Sequence, residues 1–126
     1  MQTLILTGLF FCHFLADFTP LSNSWMLKAK QKGEPLFPIF IHALVHAILM
    51  VIFLFLMLKF DLYKLVILFN IQLFTHFFID VLKGKMNIWF PLLQSSDNKW
   101  HWIVFGLDQY LHALVIISMS HYACNY

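Results

Sequence analysis

Four long apolar stretches, at about residues 2–18, 36–60, 62–82 and 100–123, alternate with polar connections along the chain. Each is read as a membrane-spanning helix, the first near the lower limit of ~17 residues for a span and the second long enough to cross with some tilt. Thr19 and Pro20 end the first stretch, and Pro38 falls near the first turn of the second, where a missing N–H costs little. Lys59, Asp61 and Lys64 mark a tight turn into the third, and Gly84 is expected to stop that helix as a C-terminal cap. The first connection, LSNSWMLKAKQKGEP, holds Trp25 and Met26 and predicts a short interfacial turn, since Trp favours the headgroup level. The second holds an apolar patch at 88–93, broken by Pro91, which is too short to span and is expected to lie in the interface. The four stretches pair into two hairpins of similar layout, a pattern that suggests duplication. The extreme N-terminus has the look of a signal peptide, but it lacks a basic leader and a small-residue cleavage site and is read as a retained helix.

Composition turns this pattern into a solvent. The chain has 126 residues, 61% of them hydrophobic with 15 Phe and only 11% charged, and a single soluble domain of that size cannot hide so much apolar surface. The predicted fold is therefore an all-α, integral membrane four-helix bundle forming one domain over 1–126, with short interfacial helices in the two cytoplasmic connections. All eight basic residues are Lys, which removes bidentate guanidinium chemistry from any mechanism. Cys12 and Cys124 have no CxxC spacing and imply neither a disulfide framework nor a thiolate zinc site. Lys28, Lys30, Lys32, Lys83, Lys85 and Lys99 flank one membrane face, against Lys59 and Lys64 on the other, so the positive-inside rule predicts cytoplasmic connections and both termini outside.

The polar positions inside the apolar stretches are the candidate chemistry. Gln72, His76 and Asp80 form one stripe at i, i+4, i+8 on the third helix, and ionisable groups in such a place are costly and point to function. Each of the other helices carries one pair at i, i+4: His13 and Asp17, His42 and His46, Asp108 and His112. All four pairs fall in the same membrane half, within roughly 20 Å of the lysine-rich face at ~1.5 Å per residue. Imidazole plus carboxylate suits zinc, iron or manganese, and eight candidate ligands exceed one ion's needs. They fit either two ions, or one ion with carboxylates that orient its imidazoles. Helical bundles build two-metal sites from inward-facing ligands, but with Glu, and Glu34 in a connection is the only Glu here. Two other readings use the same residues: a polar network that merely holds helices together, and a proton or ion pathway. His101, between Trp100 and Trp102, reads as an interfacial anchor, and His121 as solvated at the far surface. Ser22, Ser24, Ser95 and Ser96 have no nucleophile context, and no phosphate loop or nucleic-acid motif is present.

At HFLADF, PLFPIFIHALVHA, THFFIDVLK and DQYLHAL the chain resembles a bacterial membrane-protein family, domain-of-unknown-function family 3307 (DUF3307), over nearly its whole length. The resemblance implies an integral protein of the bacterial inner membrane and places the family's His and Asp at His13, Asp17, His42, His46, His76, Asp80, Asp108 and His112, with Gln at Gln109. The family's Gln shortly after the first Asp is missing, the chain reading Thr19-Pro20-Leu21-Ser22 there. A more distant similarity to inner-membrane proteins described as metal-dependent hydrolases favours hydrolysis. The expected activity is a metal-dependent attack of water on a phosphoester or acyl bond, with Asp80 or Asp108 as ligand or base. The lysines would draw in an anionic amphipathic substrate, the bilayer lipids being the other partners. A transporter of divalent metal or protons and a non-catalytic membrane scaffold are the competing classes.

Overall fold

The computed structural model describes residues 1–59 and 61–126, and among them every regular element is helical. Helix α1 is Gln2–Phe18, α2 Ser24–Lys32, α3 Leu36–Met57, α4 Leu62–Trp89 and α5 Lys99–Asn125, with a 3-10 turn at Pro91–Gln94 before α5. Three of these, α3, α4 and α5, are long and apolar enough to cross a membrane, and α1 is an apolar helix of 17 residues. The predicted end of the second stretch, Phe60, lies outside the described residues. The turn that follows is closed by Asp61, whose carboxylate accepts the backbone N–H of Lys64 at 3.1 Å.

The four long helices close a ring in which α1 packs on α3 and α5, and α4 packs on the same two. Tie points fix the ends. Ser120 Oγ donates to the carbonyl of Gln2, and Lys64 Nζ to the carbonyl of Ala123, so the end of α5 lies beside the starts of α1 and α4. The inward stripe of each helix changes character half-way along. On α5 it runs Asp108, His112, Ile116, Met119, Ala123, and on α4 it runs Leu65, Leu68, Gln72, His76, Asp80, at spacings of three and four. At one end the stripes meet as an apolar plug of Ile5, Leu9, Met50, Leu54, Leu68, Ile116 and Met119, all at most 1% exposed. At the other end they meet as the histidines and aspartates. The outward faces are apolar and exposed, Phe11, Phe14, Ile52, Phe55, Phe78 and Ile117 among them, as lipid-facing surface requires.

All four tryptophans, Trp25, Trp89, Trp100 and Trp102, are exposed on the polar end of the bundle, while Tyr63 and Tyr126 are exposed at the opposite end. Two aromatic girdles at the two ends of an apolar bundle match the two headgroup levels of a bilayer.

Gly84 does not end a helix. Helix α4 runs on to Trp89, more than a turn beyond both Gly84 and the expected boundary at 82. The glycine serves a close approach instead: a Cβ there would stand 2.2 Å from the backbone N of Gly33 and 2.4 Å from the carbonyl O of Lys30. The first connection forms the nine-residue helix α2, a short helix of the kind expected there, capped by Asn23 at its start and by Gly33, at φ 68°, at its end. Its buried residues, Met26 and Ala29, lie on the face that packs against α3 and α4. The patch at 88–93 is divided between the last turn of α4 and the 3-10 turn that Pro91 begins.

Candidate metal centre

The inward stripes of α1, α3, α4 and α5 bring the eight sequence-derived residues to one place in the polar half of the bundle. His76 is the hub: the ring centroids of His46, His112, His42 and His13 lie 3.7, 4.3, 5.3 and 6.0 Å from its own. Asp17 reaches across from the last turn of α1, and its Oδ1 accepts from Nε2 of His42 at 2.9 Å and of His46 at 3.0 Å. Asp80, 2% exposed, faces His76 Nε2 at 3.1 Å and His112 Nε2 at 3.6 Å.

Two donor sets satisfy the geometry of a metal site. Asp17, His42, His46 and His76 each offer one atom, all within 4.8 Å of one another, and so do His76, Asp80 and His112. Six of the eight residues are in these sets. His13 and Asp108 flank them. His13 Nε2 lies 3.2 Å from Asp17 Oδ2 and 3.3 Å from Gln109 Oε1, while Asp108 Oδ2 accepts from Gln109 Nε2 at 3.0 Å and faces Lys83 Nζ at 3.6 Å. A zinc tetrahedron with bonds of ~2.0–2.1 Å has edges of roughly 3.4 Å, so the contacts at 2.9 and 3.0 Å already have the scale of co-ligands.

Hydrogen bonding shows which lone pairs are free. Among the described residues nine buried side-chain polar atoms lack a hydrogen-bond partner, and eight of them belong to this cluster: one each on His13, His42, His46, Gln72, His76, Asp80, Asp108 and His112. Each such atom costs about 1–3 kcal/mol when left unsatisfied. His112 is the clearest case. Its Nδ1–H donates to the carbonyl of Asp108 at 2.8 Å, so in the neutral ring Nε2 carries a lone pair, and that lone pair faces the Asp80 carboxylate. In that state both atoms are electron-rich, the kind of pair that a cation would bridge. The two donor sets, with the unpaired His76 Nε2, Asp80 Oδ2 and His112 Nε2 facing one another, fit a divalent metal.

Lys30, which the sequence groups with the lysines of the face that would draw in an anionic substrate, stands inside the site itself. Its Nζ lies 3.2 Å from His42 Nε2, 3.5 Å from Asp17 Oδ1 and 3.6 Å from Asp80 Oδ2. Burial opposes its charge, but the carboxylates of Asp80, Asp17 and Asp108 outweigh burial and raise its pKa above the ordinary lysine value. The available signal was spacing: Lys30 is four residues after Met26 and next to Ala29, the buried face of α2. His101 donates its Nδ1–H to the Leu93 carbonyl at 2.6 Å, and it lines the same cavity as Asp108.

The family model described as "Protein of unknown function (DUF3307)" matches residues 5–126. No curated protein and no solved structure matches the chain.

Proposed function

We propose that this chain, which belongs to the DUF3307 family, binds a divalent metal ion inside its bundle and hydrolyses an anionic amphipathic substrate there. The reading is carried by the donor set of Asp17, His42, His46 and His76, one atom from each within 4.8 Å of the others, with the His112 Nε2 and Asp80 pair beside it. Asp17, His42, His46 and His76 hold the ion, zinc being the best match to imidazole with one carboxylate and iron or manganese the alternatives. His76 is shared between the two donor sets, so a second ion would rest on Asp80 and His112 with help from Asp108. When bound, the ion supplies Lewis acidity and makes a water acidic enough to react near neutral pH. Asp80, beside that set, is placed to take the proton of the water, with His112 to share it. The Asp108 carbonyl orients His112, Gln109 braces Asp108 and His13, and His13 holds Asp17 by its second oxygen. The test is metal analysis of protein purified in detergent without added imidazole: at least one zinc, iron or manganese per chain is expected. Protein that is metal-free and cannot be loaded would sink the reading.

A transporter built on the same residues needs a polar route to both faces. The apolar plug closes the far half, its side chains at most 1% exposed, and Ser120 is tied to the Gln2 carbonyl. Proteoliposomes loaded with a zinc-sensitive dye should therefore show no flux above lipid alone. Flux that disappears in His46→Ala would favour transport and remove the hydrolase.

The lysine-rich end carries the site mouth, and we place it at the cytoplasmic face of the bacterial inner membrane with both termini outside. A periplasm-active reporter fused after Tyr126 should be active and a cytoplasm-active one silent. The reverse pattern would invert the orientation.

A further inference from the structure

The site opens at the tryptophan end into a cavity of about 350 Å³ between the end of α1, α2, α4, the 3-10 turn and the start of α5. Its lining is two-sided. Phe18, Leu27, Leu93, Val104 and Phe105 make an apolar wall, and the polar wall carries the ammonium groups of Lys30 and Lys83. At its floor stand the carboxylates of Asp17, Asp80 and Asp108. Lys30 spans both regions, lining the cavity while its Nζ touches the donor set. Lys83 lies over the Phe105 ring at 4.9 Å and 3.6 Å from Asp108 Oδ2, a separation beyond a good hydrogen bond, with its side chain 27% exposed.

We infer that this cavity is a phosphate-headgroup site, held by Lys30 and Lys83, that becomes attractive to its ligand only when the metal centre below it is filled. The sign of the charge decides this. Three carboxylates against two ammonium groups leave the cavity net negative, which repels an anion, and one divalent ion at its floor reverses the sign. The same ion takes over the partners that hold Lys30, freeing its donors for a ligand. Phosphate suits the donors: ammonium groups act as point charges with rotatable N–H bonds, and the chain has no guanidinium to clamp a planar carboxylate. The apolar wall and the exposed tryptophans at this end of the bundle put the cavity at headgroup depth, so its occupant is an amphiphile whose chains stay in the bilayer. By reciprocity the bound phosphate group tightens the metal. This inference rests on the proposed metal centre and names the substrate class of that site.

Calorimetry in detergent tests it, with dioctanoyl phosphatidic acid as probe and zinc content measured on each sample. Zinc-loaded protein, freed of excess zinc, should bind the probe at least about tenfold more tightly than protein stripped of metal. Lys83→Gln should keep its zinc yet lose about tenfold in probe affinity, and dioctanoyl phosphatidylcholine should show no gain on zinc loading. Inorganic phosphate binding as tightly as the lipid would support the phosphate site but overturn the amphiphile as its occupant. Zinc-loaded wild type with no gain in probe affinity, or Lys83→Gln with unchanged affinity, overturns the inference and leaves the metal centre standing. A chain that takes up no zinc overturns both.

Discussion

His76→Ala and His42→Ala are each expected to strip most of the bound metal, although they sit on different helices. Loss of even an orienting neighbour typically lowers metal affinity ~10–100-fold, and loss of a ligand should do at least as much. His76 has the larger role, because it is common to both donor sets and its ring is the hub of the imidazole cluster. Removing it leaves three members of one set and two of the other. The double variant should be barely worse than either single one, since four ligands on one ion act as a unit and their losses do not add. His121→Ala is the control. It lies at the opposite end of the bundle, where its ring neighbours Tyr126 and its Nδ1 faces the Asn125 amide, and it should retain full metal. A purely structural network predicts a different pattern: no stoichiometric metal in wild type, and only modest stability losses from each substitution, near the ~0.6 kcal/mol typical of interhelical polar contacts. Metal content and melting temperature of the five proteins distinguish the two.

The same periodicity explains how much of this was legible in the sequence. A helix face is a local property, so the i, i+4 pairs and the stripe of Gln72, His76 and Asp80 could be read from spacing alone, and the half of the bundle they occupy from the lysines beyond them. The all-helical architecture followed from the four apolar stretches. What spacing does not contain is reach across helices. Nothing in a pair of residues says that Asp17 meets His42 and His46 on α3 while His13 stays at its flank, or that Asp108 faces Lys83. Those contacts depend on the depth and rotation of one helix against another. Lys30 was hidden for a related reason. Its helix is short and its neighbours Lys28 and Lys32 are exposed, so nothing local separates it from them; only the docking of α2 on α3 and α4 does.

A helix cap and a helix crossing use glycine for opposite reasons, and at Gly84 that difference yields the second large expected effect. Gly84→Ala should lower the melting temperature of the detergent-solubilised protein by several degrees, whereas Gly106→Ala should leave it unchanged or raise it slightly. Both glycines lie inside helices, where alanine is intrinsically better by roughly 0.5–1 kcal/mol. At Gly106 nothing lies within 4 Å of the added methyl, so that gain stands alone. At Gly84 the methyl would sit 2.2 Å from Gly33 N and 2.4 Å from Lys30 O, and both are backbone atoms that cannot rotate away. Gly33 is itself fixed, at φ 68° with its own N–H bonded to the Ala29 carbonyl, so relief requires moving α2 off α4. Overpacking of this kind typically costs about 1–3 kcal/mol, enough to outweigh the helical gain. Because the clash falls on the carbonyl of Lys30, the same shift should draw its ammonium away from Asp17 and Asp80. Gly84→Ala should then also weaken phosphatidic acid binding to zinc-loaded protein, and Gly106→Ala should not. Equal melting temperatures and equal probe affinities for the two variants would mean that α2 is not seated on α4 through this glycine.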